Sequence, residues 1–449
     1  MNEEVAKNLI HQTFESEFNK TNFLKFTMNL LKLTTKEVEE TRKGSWQGNY
    51  IPDPYKDYVS KYERIARYIT KDSKKIDILV VYLKDTKYVQ RARTAQRNFV
   101  ASYLRGECGS DTIKDAALVA FVPPDASDWR FSLVKANYVL ENTSDGKVKV
   151  KEEITPAKRW SFLVGKNERS HTIQTRMLPL LTNENGKPTL DELQNAFDVE
   201  IVTKEFFQKY RDLFIRTKLE LDKIIENDEK VRKEFEQKKI HTVDFAKKLL
   251  GQITFLYFLQ KKGWFGVEKG QPWGTGLKDF MRQLYTKRFG DYDNFYNDIL
   301  EPLFYEALTT DRSMYDHYYS RFNCKIPFLN GGLFDPINEY DWVNTEIILS
   351  DELFSNQNRT KEGDEGDGIL DVFDRYNFTV SEEEPLEKEV ALDPELLGKI
   401  YEKLNAIRDD NFGEYLKALK TGEESKFNKE YGVYYTPREI VHSILFVEF

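Results

Sequence analysis

Cysteine and histidine are scarce in this chain: Cys108 and Cys324 are the only cysteines, and five histidines are dispersed along 449 residues. That scarcity excludes a disulfide framework and any Cys/His zinc spacing, and it makes a reducing cytoplasm the simplest compartment. Long apolar runs are missing too. With no stretch of 18 or more apolar residues there is no transmembrane helix, and Met1-Asn2-Glu3-Glu4 lacks the basic and apolar parts of a signal peptide. No internal repeat is visible. What the chain does have is 40% hydrophobic and 14% aromatic content, enough for packed cores, and a length that points to two or three domains.

Net charge is −8, a weak argument against nucleic acid, but the charge is unevenly spread. Residues 61–180 hold 23 Lys+Arg against 14 Asp+Glu, a balance of +9; residues 335–430 hold 11 against 26, a balance of −15. A basic block and an acidic block suggest separate surfaces with separate partners. The plainer alternative for each is a solvated face.

Residues 1–195 read as an α/β domain. Ile76–Leu83 and Ala116–Val122 are short apolar runs expected as buried strands, the second stopped by Pro123-Pro124. Tyr88–Leu104 has helical spacing. Arg130–Leu140 and Lys147–Ile154 alternate like a hairpin around Ser144-Asp145-Gly146, and Arg159–Val164 is one more strand. Together these predict a mixed sheet with helices on it. Residues 196–392 read as a mainly helical connector, with helices capped by Thr203 and Thr242. The glycine-rich stretch 351–367 is expected as a surface loop, and residues 393–408 as a helix opening a third domain that runs to residue 449.

Asp77 opens the first buried strand, and Asp85-Thr86-Lys87 follows eight residues later. One Asp plus an Asp-x-Lys pair is the pattern of a magnesium-dependent nuclease, with carboxylates on the metal and the lysine acting on the attacking water. Glu63, from a preceding helix, would add a ligand; Asp128-Trp129-Arg130 with Lys135 is a second candidate. Asp-x-Lys also arises by chance, as at Asp72-Ser73-Lys74, so a degenerate nuclease-like fold remains the alternative, and the Trp could simply anchor a strand in the core. For DNA contact, Lys84, Lys87, Arg91, Arg93, Arg97 and Arg105 crowd one strand exit and the helix after it, and Lys158, Arg159, Arg169 and Arg176 follow. Guanidinium groups at helical spacing suit phosphate contacts, which fix register without reading sequence.

Near the end, Thr436 is a good helix N-cap, Pro437 fits the first helical position and Glu439 completes a capping box. Such a first turn can seat an anion, although an ordinary capped helix explains the same residues.

Gly432-Val433-Tyr434-Tyr435-Thr436-Pro437, followed by Ile440-Val441, resembles the motif that opens the catalytic domain of adenine-directed DNA methyltransferases. Four further segments resemble the same enzymes in the same order: Phe255–Trp264, Ile326–Phe334, Tyr376–Val380 and Leu392–Gly398. The family is that of single-chain type IIG restriction–modification proteins and the related methyltransferases of phage-exclusion (BREX-like) systems. The resemblance implies S-adenosylmethionine as cofactor, with Tyr435, Thr436 and Pro437 at its methionine end, double-stranded DNA as partner, other defence-system subunits as further partners, and the start of a Rossmann-type domain. The family's glycine-rich loop should follow Ile440–Leu445, but the chain stops at Phe449, and the catalytic Asn/Asp-Pro-Pro-aromatic tetrapeptide does not occur. The expectation is the N-terminal portion of a longer enzyme, without methyl transfer of its own. Two alternatives stand beside it: a magnesium-dependent restriction endonuclease, and a non-catalytic DNA-binding or docking scaffold.

Overall fold

The computed structural model describes residues 1–42, 50–108, 113–136, 138–142, 148–152, 156–184, 186–329, 331–380 and 386–431. The chain divides into two compact units, and the division is not a single cut. The first unit holds Met1–Val202 and takes back Arg375–Asn377 and Ser381–Ala391; the second holds the rest.

The first unit begins with helices α1 (Glu3–Phe14), α2 (Lys20–Leu30) and α3 (Thr35–Arg42). Strands β1 (Val59–Ile69) and β2 (Lys75–Leu83) follow, then α4 (Arg93–Leu104), β3 (Ala116–Val122) and β4 (Asp128–Lys135). After β5 (Tyr138–Asn142), β6 (Val148–Glu152) and β7 (Lys158–Gly165) come α5 (His171–Thr182) and α6 (Leu190–Ala196). The returning segment adds β8 (Glu387–Glu389). Six strands form one mixed sheet in the order β1-β2-β3-β4-β7-β8; β5 and β6 pair as a separate ribbon. The expected strand Arg130–Leu140 is thus two, one in the sheet and one in the ribbon, and the turn around Ser144-Asp145-Gly146 lies outside the described residues.

β2 and β3 are parallel, in register from Ile76↔Ala116 to Tyr82↔Val122, with α4 in the crossover between them. Apart from Lys75 and Asp77 of β2 both are apolar, because both of their faces are covered. On one face Phe14, Phe23 and Phe26 of α1 and α2 close on Trp129 and Phe131 of β4, with ring centroids 4.7–5.8 Å apart. Trp129 is therefore a core anchor. On the other face Phe99, Val100, Tyr103 and Leu104 of α4 pack with Leu79, Val81, Val119 and Phe121. Period-2 alternation puts Asp77, Arg130, Ser132, Arg159 and Ser161 on this α4 face as well.

The second unit is mostly helical. Its long helices are α7 (Val199–Asn227), whose first residues lie in the first unit, α8 (Glu229–Lys238) and α9 (Thr242–Lys261); α10 (Glu395–Asn405), α11 (Phe412–Thr421) and α12 (Glu424–Tyr431) come last. α7 starts before Thr203, the expected cap. α9 does start at Thr242, but its hydroxyl donates to Asp222 at 2.7 Å and the N-cap position is His241. Phe206 and Tyr210 of α7 meet Tyr257, Phe373 and Phe378 in one aromatic core. One polar cluster of this unit is paired internally: Asp374 accepts from Tyr257 at 2.6 Å and from Arg282 at 2.7 Å, and Arg282 also donates to Asp371 at 2.9 Å. Among the described residues, no helix is long and apolar enough to cross a membrane.

Candidate functional site

Asp77 is fully buried on β2. Its neighbour in the β1–β2 register is Arg67, which donates Nε to Oδ1 at 2.6 Å and Nη2 to Oδ2 at 2.9 Å. Tyr103 of α4 donates its hydroxyl to Oδ2 at 2.7 Å, and Arg64 lies 3.9 Å away. The bond to Asp77 holds the Arg67 guanidinium above its ordinary range. Lys114, also buried, is pulled down to about 8 by desolvation, with Asp77 opposing. This carboxylate serves as the counter-ion of an internal cluster.

Asp85 sits elsewhere. It caps the single turn Thr86–Val89, accepting from the Lys87 amide at 2.9 Å, and its other oxygen pairs with the Lys87 ammonium at 2.8 Å. The Lys87 hydrogen bond lowers its pKa. Asp77 lies near the start of β2, about 20 Å from the strand's end at about 3.3 Å per residue, and Asp85 is two residues past that end. The structure does not bring Asp77, Asp85 and Lys87 together, and Asp77 is closed to solvent with both oxygens already accepting hydrogen bonds. Glu63 is on strand β1, not a helix, and pairs with Lys20 and, at 3.7 Å, Lys61. Among the described residues no group of three or more His, Cys, Asp or Glu is arranged to hold a metal ion. These residues do not fit a magnesium site.

The candidate DNA contacts separate into two sets. Arg91 and Lys158 are exposed. Arg93, Arg97 and Arg159 are turned inward, under α4, where β8 supplies the acids. Arg159 lies beside Glu387 in the β7–β8 register and 3.9 Å from its carboxylate; it also donates to Ser132 at 3.2 Å, to the Arg93 carbonyl at 3.2 Å and to Gln96 at 3.0 Å. Arg97 is 3.6 Å from Glu387, and Arg93 is 3.4 Å from Glu389. Arg130, which the sequence offered only beside Trp129, completes the group: both of its terminal nitrogens reach Glu389 at 3.1 Å and its Nε donates to the Val89 carbonyl at 2.6 Å. Burial pulls the Arg159 guanidinium down, with Glu387 opposing. Four guanidinium groups and two carboxylates form a charged cluster; Arg97 and Arg159 are buried in it away from phosphate, and Arg93 lies half-buried at its margin. Their helical spacing is a packing feature.

The family-like segments of the second unit are structural where they are described. The Phe255–Trp264 segment lies mostly within α9; Lys248 and Gln252 of that helix donate to the carbonyls of Gly332 at 3.1 Å and Leu333 at 2.9 Å. Phe378 bridges Leu392, whose carbonyl accepts from Thr379 at 2.8 Å, and Asp393 accepts from the Leu396 amide at the start of α10. Tyr435, Thr436 and Pro437 lie outside the described residues.

The chain is 31% identical over 204 residues to a protein of Methanocaldococcus jannaschii that carries the provisional description of a type II restriction enzyme and methyltransferase. The match takes in 44% of this chain and 14% of that protein, so the chain spans a small part of its relative's length. No family model matches the chain, and no solved structure does.

Proposed function

We propose that this chain is the N-terminal portion of an adenine-directed DNA methyltransferase of a restriction–modification or phage-defence system. The likeness to the M. jannaschii protein carries the reading at the level of restriction–modification. Adenine as the target, and S-adenosylmethionine as the donor, rest on the resemblance of the segments that end in Tyr434-Tyr435-Thr436-Pro437. In the whole enzyme the target adenine would be turned out of the duplex, and its exocyclic amine would take up the methyl group. S-adenosylmethionine supplies that group as an electrophile. This chain's part is to seat the donor's carboxylate end with Tyr435, Thr436 and Pro437, and to hold DNA phosphates with exposed cations such as Arg91 and Lys158.

The test is methyl transfer by the whole protein to unmethylated duplex, read by mass spectrometry of the nucleosides. The expected product is N6-methyladenine, lost or strongly reduced on Thr436→Ala with the fold intact. A whole protein that labels cytosine, or transfers nothing, overturns the reading. Robust transfer by the 449-residue chain by itself overturns it as well, because the catalytic tetrapeptide is not in its sequence.

A further inference from the structure

A crevice of about 540 Å³ opens in the first unit at the carboxyl ends of the parallel pair β2 and β3. In open α/β sheets this is the edge at which ligands bind. Its back is apolar: Leu83 and Val122 are buried, and Pro123-Pro124 turns the chain away from β3. Its charged lining is of one sign. Lys20 approaches from the start of α2, Lys61 from β1 and Lys84 from the end of β2.

Glu63 is the single carboxylate paired with this group among the described residues, and it serves Lys20 and Lys61 together. Lys61 also lies over the Tyr82 ring, 4.3 Å from its centroid. Lys84 is exposed, and among the described residues no carboxylate pairs with it. Three ammonium groups against one carboxylate leave a local excess of two positive charges beside a wall of low polarity, where field lines are focused. Glu63 offsets one of the three charges, and an added anion would offset the rest.

We propose that the crevice holds backbone phosphates of duplex DNA, an inference that rests on the DNA-directed reading above. A free nucleotide is the other source of the same chemistry. No glycine lines the crevice, and its lining has no glycine-rich turn of the kind that cradles a phosphate chain with backbone amides. Cations spread over three elements instead suit a polyanion lying across the sheet edge.

The experiment is fluorescence anisotropy of a labelled 20-base-pair duplex with the 449-residue chain at increasing salt. It compares the wild type, the Lys61→Gln/Lys84→Gln double variant, and a control with Lys36→Gln and Lys233→Gln on exposed helix faces. Each phosphate contact contributes about 0.9 to the slope of log affinity against log salt. The double variant is expected to lose about 1.8 of that slope and to bind severalfold more weakly at low salt, with the control unchanged. Wild-type slope and affinity in the double variant overturn the inference; so does an equal loss in the control, and so does loss of ATP binding with duplex binding intact. A wild-type chain that binds no duplex at all sinks the DNA-directed reading and this inference together. Melting curves of the variants establish that each is folded.

Discussion

Arg67 and Asp77 stand opposite one another on adjacent strands, joined by two hydrogen bonds of 2.6 and 2.9 Å, and the aspartate is wholly removed from water. A bidentate pair of this kind is specific in geometry, and removing one partner leaves the other charge buried without compensation. Asp77→Ala is therefore expected to lower unfolding stability by about 3–5 kcal/mol, measured as a shift of the urea midpoint at constant slope. A nuclease centre at Asp77 would behave differently, with cleavage lost and stability kept.

The charged core under α4 makes a second case. Glu389→Gln removes the acid held by both terminal nitrogens of Arg130, and a loss of about 3 kcal/mol is expected. Arg130→Met in the same background should restore part of it, since the uncompensated charge is then gone. The double-mutant cycle measures the coupling, expected between about 0.5 and 3 kcal/mol; additive losses would mean the two groups do not sense each other.

Exposed and buried arginines should part company in solution. Arg91→Gln and Lys158→Gln are expected to reduce the salt slope of DNA binding by about 0.9 each and to leave the melting temperature alone. Arg97→Gln and Arg159→Gln are expected to lower the melting temperature first. A salt slope that falls for Arg159→Gln at unchanged stability would put that side chain on DNA.

Glu301 gives a pH dependence. It is fully buried; Tyr340 donates to one of its oxygens at 2.5 Å and the other has no partner. Burial pushes its carboxyl up from 4.5 to about 9. The folded chain thus keeps a proton that the unfolded chain releases near pH 4.5. The stability tied to that proton is complete below about pH 4.5 and falls as pH rises toward 9, by about 3 kcal/mol at pH 7. Glu301→Gln should flatten this decline and be the more stable protein at pH 8. Parallel stability–pH curves for the two proteins would contradict it.

The apolar strands of the first unit and the long helices of the second were legible because their residues carry the period of their packing. Ile76–Leu83 and Ala116–Val122 match β2 and β3 almost to the residue. Asp77 carried a readable warning: a lone acid inside a doubly buried strand must find an internal partner. β1 was hidden, because Lys61, Glu63, Arg64 and Arg67 within eleven residues resemble a solvated helix more than a strand. The inward turn of Arg93, Arg97 and Arg159 could not be read locally. Its cause lies more than 220 residues further on, in a three-residue Glu-Lys-Glu segment with no strand composition at all.

That last strand has a consequence during synthesis. The sheet of the first unit is closed by residues that leave the ribosome after most of the second unit. At 5–20 residues per second, roughly 10–45 s separate β7 from β8. Throughout that interval the guanidinium groups destined for Glu387 and Glu389 have no acid from β8 to meet. The nascent N-terminal body is therefore expected to wait, hydrated and incomplete at one edge, until its own chain returns to finish it.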